Sequence, residues 1–478
     1  MPFLSDYFRR RRNRPFVRPW ALATPIVVLL VCLPLLRPLR HPGQSSVDED
    51  LRLATISAFV EHQSGPEAYL PARMSIDDAD IDIHRHVIRV DGHLYSDQPP
   101  MLAFLLSGPY WIMHFMGYHL RENSVLVPYI LTLLGSTLPA AAVGGLVYRM
   151  ARIFELRRQW RCALAAAVVF GTGLISYAVV LNAHVPAAAL VMGSVGCVVH
   201  LLGSKNPNRG GGWIVLSGAC AALAATIDLP AAVFLVLMLF VVAALPLSMP
   251  LRLGAVILYI LGAAGPILLH ATLMAPLTGD LLPGALHQRL LEYQPPAVVV
   301  TENDDPYADE DAPAPPGFWQ RAGWGMDRLV AVLMGDHGLL VHFPAVLLGA
   351  AGMLAVMHRH WPVSIKALAA ASAAAILLGL LAFVPIRQGT ATAGFANRWL
   401  MVFLPILLFW AGAWLRRPHR PLIWAAAALL LAFSIIVSLI GTTDPMPRDG
   451  YNGYTALAAW HNMFNNPTPP PPPTAMAG

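Results

Sequence analysis

Apolar runs of roughly 20 residues, each enough to cross a hydrocarbon core of about 30 Å as a helix, recur along the whole chain. They lie near 21–36, 124–148, 162–181, 184–203, 212–228, 230–247, 253–275, 339–357, 363–385, 398–415 and 421–441. Lipid offers no partner to a free peptide group, so such runs are read as helices that close their own hydrogen bonds. With 56% hydrophobic and 12% charged residues over 478 positions, the chain falls far below the roughly 25% charge of soluble domains. The expected fold class is therefore an all-α polytopic membrane protein with about eleven spanning helices.

Loop charge sets the topology. "YRMARIFELRRQWR" (148–161), "GSKNPNRGG", "MPLR", "HRHWPVSIK" and "LRRPHRP" are short and rich in Lys and Arg, whereas the loops at 37–97, 276–338 and 386–397 are longer or mixed. One further apolar stretch, Pro99 to Gly117, decides the parity. If it crosses the membrane, Arg149, Arg152, Arg157, Arg158 and Arg161 face outward, against the positive-inside rule. If it lies flat at the outer interface, all five basic loops are cytoplasmic. Tyr95, Tyr110, Trp111, His114, Tyr118 and His119 scatter amphipathic groups along it, as suits the headgroup level, and Pro99 and Pro100 suit a first helical turn.

The layout that follows has a membrane domain over 1–441, with outer loops 37–123 and 276–338, and an outer tail over 442–478. That tail is read as a short interfacial helix around Trp460 followed by an extended, disordered proline run. The N-terminal "FRRRRNRPFVRPW" precedes the first run as an uncleaved anchor with its N-terminus in the cytoplasm. The net charge of +5 sits mostly there and in the basic loops, so topology accounts for it and no nucleic-acid partner is expected. Cys32, Cys162, Cys197 and Cys220 form no CxxC pair and indicate neither a disulfide framework nor a zinc site.

Chemistry is sought among charged groups on the outer side, because charge near lipid is costly. "SSVDEDLRLATISAFVEHQ" places Asp48, Glu49 and Asp50 where a helical pattern begins; acids there are also ordinary helix-dipole partners. Arg387 in "VPIRQG" and Arg398 in "FANRW" sit at outer helix ends, where snorkelling is the plainer explanation. Asn182 and His184 occupy one outer hairpin and Asp228 another, beside Pro230. Each is either a turn cap or a cavity lining, with the cap favoured for Asn182. His337 and His342 lie five apart, off one helical face and outside any HExxH signature, so no metal site is read. "DIDIHRHVIRV" alternates like a short strand or hairpin, and the acidic, proline-rich 276–338 loop suits either a lid or plain disorder. No phosphate-binding or nucleophile-elbow motif occurs.

Three segments, "VDEDLRLATISAFVEH", "DGHLYSDQPPMLAFLLSGPYWI" and "GTATAGFANRWLMVFLPILLF", together resemble the C-type fold glycosyltransferases, closest to bacterial relatives of the protein O-mannosyltransferases and the aminoarabinose lipid A transferase. The corresponding residues are Asp48-Glu49, Tyr95-Ser96-Asp97-Gln98-Pro99-Pro100 and Phe395-Ala396-Asn397-Arg398-Trp399. Two departures stand out: Gln98 replaces a common lysine, and Ala396-Asn397 replaces a Gly-Pro type dipeptide.

The resemblance implies an inverting sugar transfer from a polyprenyl-phosphate donor to a lipid, glycan or protein acceptor on the outer face of a bacterial inner membrane, with no cofactor and no obligatory metal. Asp48 and Glu49 are then the catalytic acids, with Asp48 orienting and deprotonating the acceptor. Arg398 and Arg387 are the candidates for the leaving phosphate, while Tyr95, Asp97, Gln98, His184, Asp228 and His337 are candidates to line the cavity. A transporter or flippase of lipid-linked glycans, expected to show broken helices at mid-bilayer depth, is the alternative; a catalytically degenerate assembly partner is the third.

Overall fold

The computed structural model describes residues 19–36, 46–61, 74–77, 87–203, 210–287, 326–327, 329–383, 394–446 and 454–465. The basic N-terminal block, Arg387, most of the acidic loop and the proline run lie outside the described residues.

The described residues are mostly helical, with one two-stranded hairpin among them. In order come α1 (Pro19–Cys32), α2 (Val47–Glu61), a hairpin of β1 (Val87–Val90) and β2 (His93–Ser96), and α3 (Met101–Phe115). The continuous helix α4 (Leu126–Phe154) follows. Then come α5 (Arg158–Phe170), α6 (His184–Leu202), α7 (Gly211–Ile227), α8 (Ala232–Ala243), α9 (Met249–Thr278), α10 (Val346–Met357), α11 (Val363–Phe383), α12 (Pro421–Ile440) and α13 (Thr455–Asn465). Among the described residues five helices are long and apolar enough to cross a membrane, or six if a pair bent by 92° between Leu329–His342 and Val346–Met357 forms one span; shorter apolar helices accompany them.

Local chemistry explains several boundaries. Ser46 accepts the Glu49 N–H at 3.2 Å, an N-cap that starts α2 at Val47. The hairpin turns at Asp91 and Gly92, whose φ values of 50 and 88° are the positive pair a tight two-residue turn requires; its register pairs Val87 with Ser96 and Val90 with His93. The helix expected after Pro99-Pro100 forms as α3, with Met101, Leu102, Leu106, Tyr110 and Met113 buried and Trp111, Ile112 and Phe115 exposed. The Tyr110 hydroxyl donates to Glu61 at 2.5 Å and accepts the Leu120 N–H at 2.9 Å, clamping α3 onto α2. Helix α13 carries Trp460, where a short helix was expected.

Helices α7 and α9 cross at closest approach on glycines. A Cβ on Gly218 would stand 2.1 Å from the Tyr259 carbonyl oxygen, and one on Gly262 the same distance from that of Val215; small residues at such a crossing let two backbones touch in lipid.

Two expected spans are broken. The run at 162–181 is helical only to Phe170, followed by one turn at Leu174–Tyr177 and a buried irregular segment to Ala183. The run at 398–415 divides into short pieces, Arg398–Leu400, Leu404–Phe409 and Ala411–Leu415. Irregular backbone at membrane depth is tolerated only where protein groups satisfy it. Here Ser438 Oγ accepts the Gly173 N–H at 3.1 Å and Thr137 donates to the Ala178 carbonyl at 2.7 Å. Asn182 Nδ2 donates to the carbonyls of Tyr177 and Val180. The hydrophobic period does not report these polar side chains, which decide that the helix stops.

Among the described residues, groups from several of the basic loops lie together at one end of the bundle. Arg416 pairs with Glu155 at 2.5 Å and lies over Trp361, Ser364 donates to the Ala244 carbonyl at 3.1 Å, and His200 packs at a tilt against Trp213 within the field of Arg149 and Arg152.

Candidate active site

The opposite end brings together residues from six distant parts of the sequence. Asp48, in the first turn of α2, receives Arg398 Nη1 on Oδ2 at 2.5 Å and Gln98 Nε2 on Oδ1 at 2.7 Å. Both carboxylate oxygens are thus engaged, and the ion pair is largely buried, with side-chain exposures of 7% for Arg398 and 14% for Asp48. Gln98 stands immediately before the two prolines that open α3, so the segment leading into that helix delivers its side chain to Asp48. Glu49, 1% exposed, reaches the irregular 171–183 segment, where the Leu181 N–H points at its Oε1 at 3.4 Å.

Arg398 is placed by the short turn Arg398–Leu400. The Tyr177 hydroxyl fixes the irregular segment before it by donating to the Phe395 carbonyl at 2.7 Å, and the Ala396 N–H donates to Thr455 Oγ1 at 3.2 Å. Ala396 has φ of 52°, in the left-handed region that favours glycine. The Gly-Pro type dipeptide that Ala396-Asn397 replaces would suit that conformation.

His184, at the start of α6, and Asp228, after α7, form a buried pair at 2.6 Å between Nδ1 and Oδ2. The His184 ring packs edge-on against Trp399 and Tyr177. Asp228 makes no side-chain cap bond to the helices it joins, whereas Asn182 Oδ1 accepts the Val185 N–H at 2.9 Å and does cap α6. Tyr95 and Asp97 are buried, 3% and 4% exposed, and Asp97 lies within electrostatic range of Arg398.

His337 is not brought to this cluster. It neighbours Asp336 and His342, and His342 donates or accepts at Thr455 Oγ1 over 2.6 Å. Among the described residues no group of three or more His, Cys, Asp or Glu side chains is arranged to hold a metal ion together.

Sequence reasoning missed Arg52. One turn beyond Asp48 on α2, it is 9% exposed and lies within electrostatic range of Asp48, Asp228, Arg398 and Asp97. Burial pulls its guanidinium below the ordinary arginine range while Asp48, foremost among the acids, pushes back. The available signal was its spacing of four from Asp48, which puts both on one helical face.

The apolar helices and this arrangement define a polytopic integral membrane protein with the fold of the C-type membrane glycosyltransferases. Among solved structures the chain is similar to the oligosaccharyltransferase AglB of Archaeoglobus fulgidus in complex with an inhibitory peptide and a dolichol-phosphate, at TM-score 0.51 and 13% identity over 90% of this chain and 56% of that one. The same archaeal enzyme in complex with Zn and sulfate matches at TM-score 0.52 and 14% identity, over 90% and 54%. ArnT from Cupriavidus metallidurans in the apo state matches at 0.49 and 13%, over 89% and 70%. The chain spans about half the length of the archaeal enzyme. No protein-family model and no curated protein sequence matches it.

Proposed function

We propose that the protein is an inverting glycosyltransferase that takes a sugar from a polyprenyl-phosphate carrier and passes it to a lipid, glycan or protein acceptor at the outer face of a bacterial inner membrane. The observation that carries this reading is the meeting of Asp48 and Arg398 across 350 positions of sequence: a base for the acceptor and a cation for the leaving group in one buried place.

In the proposed reaction the acceptor hydroxyl attacks the anomeric carbon as the bond from that carbon to the phosphate oxygen breaks. The hydroxyl proton passes to Asp48, and the charge developing on the phosphate is met by a guanidinium. Arg398 and Gln98 hold Asp48 as an ionised acceptor of hydrogen bonds, which makes it a weak base. A donor phosphate competes for Arg398, so donor binding would release Asp48 for its proton. Glu49 supports the acceptor, and Arg387 is proposed as a further phosphate contact on sequence grounds. Asp48→Asn, in membranes supplied with a labelled polyprenyl-phosphate sugar, should abolish transfer; unchanged transfer eliminates the base.

The breaks at 171–183 and 398–404 favour a second reading, a flippase for lipid-linked glycans, since discontinuous helices also line transport paths. Proteoliposomes distinguish the two: a flippase exposes a labelled lipid-linked sugar on the opposite leaflet without an acceptor, and a transferase does not.

A further inference from the structure

With its Nη1 on Asp48, Arg398 has only part of its guanidinium left for a phosphate, and Gln98 contributes no charge. Arg52, buried one turn along α2 from Asp48, lies within electrostatic range of Arg398. Its Nε has no hydrogen-bond partner among the described residues, and the Nε of Arg398 has none either. Buried N–H groups are rarely left without acceptors, and each exception calls for an explanation. These two exceptions belong to guanidinium groups within electrostatic range of each other, a repulsive neighbourhood that an anion between them would relieve. The surrounding carboxylates of Asp48, Asp97 and Asp228 hold Arg52 in place by their field but leave its Nε edge unused. Gln98 Oε1 and Asn397 Oδ1 are likewise buried without donors, a pair of acceptors suited to hydroxyl groups. Unfilled donors on cations beside unfilled amide acceptors match a phosphate joined to a sugar.

We propose that Arg52 is a donor-binding residue, its guanidinium taking the phosphate oxygens of the polyprenyl-phosphate sugar together with the Nε edge of Arg398. The inference rests on the transferase reading of the site. Under it, Arg52 supplies the cation missing at Gln98 and meets the donor while Arg398 is still on Asp48.

The test uses the full chain in detergent micelles, with farnesyl phosphate, farnesol and inorganic phosphate as probes. The unsubstituted protein should bind farnesyl phosphate at least tenfold more tightly than farnesol, and inorganic phosphate weakly. Arg52→Gln should remove most of that preference while leaving farnesol affinity unchanged. Arg52→Lys, which keeps the charge and loses the fork, should weaken farnesyl phosphate binding several-fold.

A protein that does not distinguish farnesyl phosphate from farnesol refutes the transferase reading itself. A normal preference in Arg52→Gln leaves that reading intact and overturns the role of Arg52. If Arg52→Gln does not fold, Arg52→Lys decides: an unaltered affinity overturns the proposal.

Discussion

The pair between Asp48 and Arg398 can be tested by a double-mutant cycle, with Asp48→Asn, Arg398→Gln and the two together. The N–O distance is 2.5 Å and both side chains are mostly buried. Charge centres about 4 Å apart at an effective dielectric constant of about 20 attract by about 4 kcal/mol. Removing one partner strands the other away from water, and such losses run at about 3–5 kcal/mol. Each single variant should therefore cost about 3 kcal/mol, with Asp48→Asn at the lower end because its Oδ1 still accepts from Gln98. The double variant strands neither charge and should cost about 4 rather than 6 kcal/mol, a coupling of about 2 kcal/mol. Unfolding in mixed micelles followed by tryptophan fluorescence measures all four species. Additivity within about 0.5 kcal/mol would mean that the two side chains do not meet, and the site would dissolve with them.

His184→Ala leaves Asp228, 5% exposed at its side chain, without its imidazole and should destabilise the protein by about 3 kcal/mol, more than Asp228→Asn; equal, small losses in both would argue against the pair. Gly218→Ala forces a Cβ to within 2.1 Å of the Tyr259 carbonyl oxygen and should cost about 2 kcal/mol by separating α7 from α9, read as a lower unfolding midpoint. Ala396→Gly relieves a positive φ of 52° and should raise stability by about 1 kcal/mol; a loss would place the strain elsewhere. A cysteine at Arg157 should resist a membrane-impermeant thiol reagent in intact cells and react once the membrane is opened; labelling in intact cells would invert the orientation.

Much of the architecture was legible because its signals are local. Most of the helices fall within the apolar runs, the first strand of the hairpin lies at the end of the alternating "DIDIHRHVIRV", and α2 starts at the acids Asp48, Glu49 and Asp50. The grouping of basic loops followed from charge alone, since charged groups on either side of a bilayer do not exchange. Arg398 was named on a matching motif, and Asp48 likewise, yet nothing in the chain's periodicity says that they touch.

Local composition therefore determined which segments are apolar enough to form helices suited to a membrane and which loops are basic, because hydration of charge and of peptide groups is decided residue by residue. Tertiary structure alone decided that Asp48, Gln98 and Arg398 share one place, that His184 is held by Asp228, and that the 162–181 run stops at Phe170. Those outcomes depend on distances between segments far apart in sequence, and on side chains such as Thr137, Asn182 and Ser438 satisfying backbone groups that lipid would leave bare. Arg52 shows the division most clearly: its place on the face of Asp48 is fixed by helical spacing, while its burial among three carboxylates arises only when the helices pack.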